Sequence, residues 1–200
     1  MNQKTLGPMD ANPARRLRFL LCDTAGKVRG FSSSDEAWVS SPIQCLDKAV
    51  DGKPELVVIR IGDMPIRERD TLVELSAALK RNRHTRSCPV LALLHSRHRK
   101  LLEDLNRAGV AFVKFIGDSA LDSDQMRQII DALGPCNRLE PVLEAICPFV
   151  HYCQIDSKHE MASCGAYLDR MVLGGRRMHE LCETIDHLHC AYFLNPRRKS

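Results

Sequence analysis

The sequence predicts an α/β protein with a doubly wound parallel sheet, followed by a helical module rich in cysteine. The first observation is an unbroken apolar run over residues 56–59, continued by Ile61 and stopped by Gly62-Asp63 and Pro65. Such a run is typical of a strand that is buried on both faces. The second is the alternation of apolar runs with segments of helical periodicity, which indicates βαβ units. The third is that six of the nine cysteines lie after residue 135.

The composition fits a folded chain with room for one domain and an appendage. Its 200 residues are 44% hydrophobic and carry a formal net charge of +4, which is too small to indicate a nucleic-acid partner by itself. Residues 1–16 are polar and contain Pro8 and Pro13, so they are expected to be a disordered leader rather than a signal peptide. No apolar run approaches the roughly 20 residues of a membrane span, and we expect a cytoplasmic protein.

The segment before the central apolar run contains few clear elements. Residues 17–22 predict the first strand, and residues 27–31 are expected to return beside it as a hairpin partner. Residues 32–41 are expected to be a loop, apart from the apolar pair Trp38-Val39. Residues 43–50 predict a short helix that leads into the central strand. This segment is short, so one strand–helix unit is expected to be reduced or replaced by the hairpin.

Helices and strands alternate regularly after the central strand. Leucines at helical spacing mark the helices, and short apolar runs mark the strands. The expected elements are a helix capped by Asp70, a strand over residues 88–94, a helix capped by Ser96, a strand over residues 110–115, and a helix opened by Asp122 or Ser123 that ends at Gly134-Pro135.

Three segments carry a family resemblance. Residues 54–59 resemble the third strand of the receiver domain of two-component response regulators, and residues 88–93 resemble its fourth strand. Residues 108–114 resemble the approach to its fifth strand, ending in the family's lysine. The resemblance covers residues 17–133 and implies a flavodoxin-like fold with a phosphoacceptor site at the carboxyl ends of the strands.

Most positions that carry the chemistry of that family are altered. The acidic pair after the first strand is reduced to Asp23, the phosphoacceptor aspartate falls on Arg60, and Lys114 is kept. The hydroxyl position after the fourth strand falls on Leu94. An arginine provides neither a carboxylate nucleophile nor an oxygen ligand for Mg²⁺, so the chain is expected to be a pseudo-receiver. Asp63 could take over the role only if the end of the strand is shifted.

The remaining residues, 134–200, form a separate cysteine-rich module that is expected to be helical. No Cys-x2-Cys pair typical of structural zinc is present. The wide spacing favours an iron–sulfur cluster, because its ligands come from more scattered positions. Zinc and buried thiols without any metal are the alternatives. The candidate metal ligands are Cys147, Cys153, Cys164, Cys182 and Cys190.

One geometric limit applies to the last two of these cysteines. The apolar periodicity predicts a single helix over residues 176–193. Cys182 and Cys190 would then lie about 12 Å apart along the helix axis, at 1.5 Å per residue. That separation is too large for one zinc ion. Either one of the two is not a ligand, or the helix ends before His187.

Basic residues are concentrated at the end of one predicted helix and at the start of the next. If the two helices are neighbours, these residues could form one patch that binds phosphate groups. An ordinary solvated surface is the alternative interpretation. The patch consists of Arg81, Arg83, Arg86, Arg97, Arg99 and Lys100.

The sequence contains no motif that predicts catalysis. It has no glycine-rich phosphate loop and no convincing nucleophile with its base. The favoured function is therefore a non-catalytic signalling protein, in which the receiver-like face binds a protein partner and the cysteine-rich module senses redox state or acts as a scaffold. One alternative is an iron–sulfur subunit that transfers electrons or assists a redox enzyme. The other is a regulator that binds nucleic acid.

Overall fold

The computed structural model describes residues 17–28, 34–117 and 119–197. The expected leader lies outside these residues, as does most of the expected hairpin strand. Among the described residues, no helix has both the length and the apolar character needed to cross a membrane.

Within the described residues, five parallel strands form the central sheet, in the spatial order β2-β1-β3-β4-β5. This order is that of flavodoxin-like, doubly wound folds, so the predicted fold class is confirmed. The strands are β1 (Phe19–Cys22), β2 (Glu36–Val39), β3 (Leu56–Ile61), β4 (Val90–Leu94) and β5 (Phe112–Phe115). The helices of this sheet domain are α1 (Pro42–Gly52), α2 (Ile66–Arg81), α3 (Arg99–Arg107) and α4 (Ser123–Asp131).

Strand β3 lies at the centre of the sheet and is buried along its whole length. Val57 and Ile59 belong to the larger core, which α1, α2 and α3 cover. Val58 belongs to the smaller core on the opposite face, which α4 covers. Because side chains alternate along a strand, Arg60 points to this second face. The continuous apolar run therefore reflects burial on both sides, as predicted.

Strand β2 was not expected, since residues 32–41 were interpreted as loop. Its backbone pairs in parallel with β1, with Glu36 opposite Phe19. It is an edge strand, and its Trp38 remains 40% exposed. The sequence of β2 therefore lacks the continuous apolar run that marks a central strand. Val28 pairs with Leu121 rather than with the first strand, which corrects the expected hairpin. The described residues between β1 and β2 are not helical, and the strand of the expected reduced unit is present as β2.

Two predicted helix caps are wrong. Helix α2 starts at Ile66, directly after Pro65, so Asp70 lies inside it rather than at its start. Helix α3 is capped by His98, whose side chain accepts a hydrogen bond from the Leu101 N–H group, and not by Ser96. Asp122 does cap α4, through a reciprocal pair of hydrogen bonds with Gln125.

The cysteine-rich module combines a small antiparallel sheet with short helical pieces. Helix α5 (Leu139–Glu144) is followed by β6 (Val150–Gln154), β7 (Glu160–Cys164) and β8 (Met171–Val172). The single helix expected over residues 176–193 is broken. Its place is taken by α6 (Gly175–Arg177), a π-helical turn over Met178–Cys182, a 3-10 turn over Ile185–His189, and α7 (Ala191–Leu194).

Candidate functional site

The carboxyl ends of β1, β3, β4 and β5 meet at one edge of the sheet, which we call the carboxyl edge. Open α/β sheets place their sites there. Asp23 directly follows β1, and Arg60 is the next-to-last residue of β3. Lys114 lies in the same cross-strand row as Arg60, with Leu93 of β4 between them. The sequence therefore placed all three receiver-like positions at the correct edge.

Arg60 and Asp23 form a buried pair at this edge. Their side chains are 1% exposed, and Arg60 Nη1 lies 3.9 Å from Asp23 Oδ2. Arg60 Nη2 donates a hydrogen bond of 2.8 Å to the carbonyl of Ser119, in the loop after β5. The Ala25 N–H group donates one of 3.1 Å to Asp23 Oδ1. The guanidinium is thus held at the end of β3 by one backbone carbonyl and by the nearby carboxylate.

The buried pair is only partly satisfied. Arg60 Nε, Arg60 Nη1 and Asp23 Oδ2 have no hydrogen-bond partner among the residues that the structure describes. At 3.9 Å the two charges attract each other without sharing a hydrogen bond. Removing two charges from water costs several kcal/mol each, so mutual compensation is what makes this burial tolerable.

The other receiver-like positions do not restore phosphoryl chemistry. Leu94 is buried at the end of β4, where the family has a hydroxyl group. Asp63 is exposed in the loop after β3 and lines a cavity of about 280 Å³. Lys114 is exposed, and Leu93 lies between it and Arg60. The carboxyl edge therefore holds a buried cation in place of a reactive carboxylate.

The cysteine-rich module covers part of the same edge through the hairpin of β6 and β7. Glu160 of β7 accepts hydrogen bonds of 2.6 and 3.4 Å from the guanidinium of Arg69 in α2. Its Oε2 atom also lies 3.0 Å from Nε2 of His98, although that contact is not aligned as a hydrogen bond. The Ile66 N–H group at the start of α2 donates a hydrogen bond of 3.0 Å to the carbonyl of Ser157. We call Arg69, His98 and Glu160 the latch.

The protonation states of the latch follow from its burial. Burial lowers the pKa of His98, and nearby Arg69 lowers it further, against the opposing effect of Glu160. Because Nδ1 accepts the Leu101 N–H group, the neutral ring carries its proton on Nε2, facing Glu160. Burial alone would raise the pKa of Glu160, but Arg69 and His98 hold it below its usual value. The latch is therefore a carboxylate, a guanidinium and a neutral imidazole.

Tyr152 of β6 supports the latch from the module side. Its ring stacks on His98, with the two ring centroids 3.6 Å apart. Its hydroxyl group accepts a hydrogen bond of 3.2 Å from the Arg99 N–H group at the start of α3. Burial raises the pKa of Tyr152 to about 12. The residues of the latch were missed by sequence reasoning, because Arg69 and Glu160 are 91 residues apart and no local pattern connects them.

Four of the five candidate cysteine ligands come together in the core of the module, and one does not. Cys147, Cys164 and Cys182 are buried in a single cluster. Cys190 is half-buried, and its sulfur lies 3.9 Å from Nη2 of Arg177. Cys153 is exposed on β6, on the face opposite to Val150, which belongs to the core. Among the described residues, no three His, Cys, Asp or Glu side chains are arranged around the position of a single metal ion.

The predicted basic patch is wrong as a single surface. Arg81, Arg83 and Arg86 lie at the end of α2, before β4 begins, whereas the other three follow the end of β4. Because β4 separates the two groups, they lie at opposite edges of the sheet.

The second group of basic residues also has partners inside the molecule. Arg97 donates a hydrogen bond to the Glu183 carbonyl, and Arg99 donates to the carbonyl of Ile146. Lys100 pairs with Asp104 one turn further along α3. The contacts of Arg97 and Arg99 join the module to the sheet domain. The six basic residues therefore do not form one continuous basic surface.

Comparison with solved structures finds similarity to the crystal structure of a response regulator from Desulfuromonas acetoxidans. The two chains are 23% identical, with a TM-score of 0.39, and the match covers 59% of this chain and 99% of that chain. No protein-family model and no curated protein sequence matches the chain. The receiver-like fold of the sheet domain is established here by its own strand order.

Proposed function

We propose that the chain is a regulatory protein that acts through protein contacts and whose receiver-like domain works without phosphorylation. The observation that carries this proposal is the burial of Arg60 against Asp23 at the carboxyl edge. A phosphoryl group and its Mg²⁺ need a carboxylate nucleophile and oxygen ligands. A buried guanidinium provides neither, and its positive charge repels the metal ion.

The latch gives the proposed regulator a second input. Glu160 binds side chains from α2 and α3, which are the two helices that follow the central strands β3 and β4. A change in the cysteine-rich module, such as oxidation of its thiols, would reach the carboxyl edge through Glu160 and Tyr152. The proposed function is thus redox or partner signalling relayed from the module to the sheet domain.

The test is exposure of the full chain to acetyl phosphate and Mg²⁺, with covalent phosphate measured by intact-protein mass spectrometry. We expect no added mass, while an active response regulator treated in parallel gains one phosphoryl group. The Asp63→Asn variant is the matched control for the exposed carboxylate near the edge. Phosphate incorporation by the wild type would overturn the proposal, and its loss in Asp63→Asn would identify the acceptor.

A further inference from the structure

The convergence of four cysteines is not explained by the receiver-like domain. They come from four separate segments, and Cys147 precedes β6 while Cys164 ends β7. Cys182 ends the π-helical turn, and Cys190 lies between the 3-10 turn and α7. The Cys147 N–H group donates a hydrogen bond of 2.8 Å to the Cys182 carbonyl. Cys164 is paired in register with Val150, three residues after Cys147. The fold therefore directs all four segments to one place.

The thiols also act on one another electrostatically. Burial raises the pKa of Cys182 to about 11, and Cys147, Cys164 and Cys190 each contribute further to the rise. Burial likewise raises the pKa of Cys147, and Cys164 and Cys190 add to that effect. The packing places the thiols together independently, because Cys147, Cys164 and Cys182 belong to one buried cluster, and Tyr192 and Phe193, close to Cys190 in the chain, pack against it.

The break in the last helical segment removes the earlier geometric limit. In a continuous helix, Cys182 and Cys190 would lie about 12 Å apart. The chain instead leaves the π-helical turn at Cys182, and Thr184 caps a new 3-10 turn by accepting the Asp186 N–H group. π-helical turns are frequent at functional sites. The separation expected for one continuous helix therefore does not apply to Cys182 and Cys190.

The spacing of the thiols distinguishes between two kinds of metal centre. Four zinc–sulfur bonds of about 2.3 Å in a tetrahedron would bring the sulfur atoms to about 3.8 Å from each other. Among the described residues, no three of the candidate ligand side chains are arranged around the position of one ion. A four-iron cluster is larger and binds each thiolate through a different iron atom, so its four ligands need not converge on one ion position. The absence of a Cys-x2-Cys pair favours the cluster as well.

We infer that Cys147, Cys164, Cys182 and Cys190 ligate one iron–sulfur cluster. The cluster also accounts for the stability of the module, whose buried apolar cluster has seven members, three of them cysteines. Units with so small a core usually depend on disulfides or metals. This inference deepens the proposed function, because it concerns the thiols on which the redox signal would act, and its test is separate from the phosphorylation test.

Cys153 provides the matched control. It lies in the same module, and it is exposed on the far face of β6. Val150, on the other face of the same strand, belongs to the buried cluster that contains Cys147, Cys164 and Cys182. Loss of this thiol should therefore leave the cluster intact.

The experiment measures iron and acid-labile sulfide, with the visible absorption spectrum, on the full chain purified without oxygen. We expect about four irons and four sulfides per chain, with broad visible absorption that bleaches on reduction. The Cys153→Ala variant should keep the full content. Alanine variants at each of the four proposed ligands should lose most of it, and circular dichroism should show that the sheet domain remains folded.

Three outcomes would overturn the inference. Stoichiometric zinc without sulfide would make the site a zinc centre, and the iron–sulfur assignment would be wrong. Wild-type protein that takes up no iron after anaerobic incubation with ferrous iron and sulfide would show that the thiols bind no cluster. Equal loss of iron in Cys153→Ala and in the four ligand variants would show that the ligand set is wrong. None of these outcomes changes the phosphorylation result expected for Arg60.

Discussion

The sheet domain and the cysteine-rich module build their cores in different ways. All of the largest fully buried side chains belong to the sheet domain, and apart from Arg60 they are apolar, mostly leucines of the central strands and of α2 and α3. The module has strands of two to five residues and a core in which cysteines replace large apolar side chains. Hydrophobic burial accounts for the first region, while the second has a smaller apolar core and is attached to the first by polar contacts.

Each region also contains charged side chains whose positions are not explained by hydrophobic packing. In the sheet domain, the charged pair of Arg60 and Asp23 is almost completely buried beside an apolar core. In the module, the latch is one of several sets of polar contacts that join it to the sheet domain. The buried pair and the latch both lie at the carboxyl edge, where open α/β sheets place their sites. The following variants disrupt these two sets of contacts separately, from the largest expected effect to the smallest.

The largest effect is expected for Asp23→Ala. The substitution leaves the Arg60 guanidinium buried and without a counter-charge, and we expect it to lower the free energy of unfolding by about 3–5 kcal/mol. The double variant Asp23→Ala/Arg60→Met removes both charges and should regain most of that loss, since an apolar side chain of similar length can fill the site. Urea unfolding followed by circular dichroism measures both values.

A surface carboxylate provides the control for this prediction. Asp63→Ala removes an exposed charge at the same edge, so its effect should stay within about 0.5 kcal/mol. Equal stability of the single and double variants would show that Arg60 does not need Asp23 as its counter-charge. The charge pair would then be incidental, and the closed site at the carboxyl edge would need another explanation.

A smaller and local effect is expected for Glu160→Gln. The change removes the negative charge that Arg69 and His98 face, and we expect the hairpin to lose about 1–2 kcal/mol of its attachment. The Ile66 amide, which donates to the Ser157 carbonyl, reports that attachment directly. Its hydrogen exchange should become about 5- to 30-fold faster, while amides in β3 keep their protection.

Glu74→Gln is the matched control for the latch, because Glu74 is exposed on the same helix as Arg69. Its Ile66 amide should exchange at the wild-type rate. If hydrogen exchange in Glu160→Gln becomes faster by the same factor at the β3 amides and at the Ile66 amide, the module and the sheet domain unfold as one unit. The contrast between the two regions would then be wrong.

These contrasts show what the sequence could predict. The strand over residues 56–61 and the helix start at Asp122 follow from local patterns of one chain segment, and both were found. Strand β2 was missed because an edge strand with exposed Trp38 lacks the continuous apolar signal of a central strand. Arg60 was recognised as the altered phosphoacceptor position from its place within that buried run.

The module was less predictable for a physical reason. Its last segment has helical periodicity, yet it breaks at Glu183 and Thr184, where a side-chain cap starts a new turn. The latch joins three segments that are far apart along the chain, and no residue in it forms a sequence motif. Cys153 could not be separated from the other thiols before the face of β6 on which it lies was known. Long-range contacts, rather than local propensity, decide each of these features.

The smallest effect concerns the pH dependence of the latch. The pKa of His98 is lowered from the usual 6.5, so the unfolded chain binds a proton more readily than the folded one. This stability is fully present above about pH 6.5 and is lost as the pH falls through the folded pKa. Glu160, whose pKa is also lowered, adds a further loss in more acidic solution, below about pH 4.5. Tyr152 acts in the opposite direction, since its raised pKa removes stability as the pH rises from about 10 to about 12.

The Ile66 amide should therefore be best protected between about pH 6.5 and 10, after correction for intrinsic exchange. His98→Asn should remove the acid step below about pH 6.5, whereas His84→Asn, at an exposed histidine far from the latch, should keep it. An unchanged acid step in His98→Asn would assign the pH dependence to another group and leave the latch without a titrating histidine.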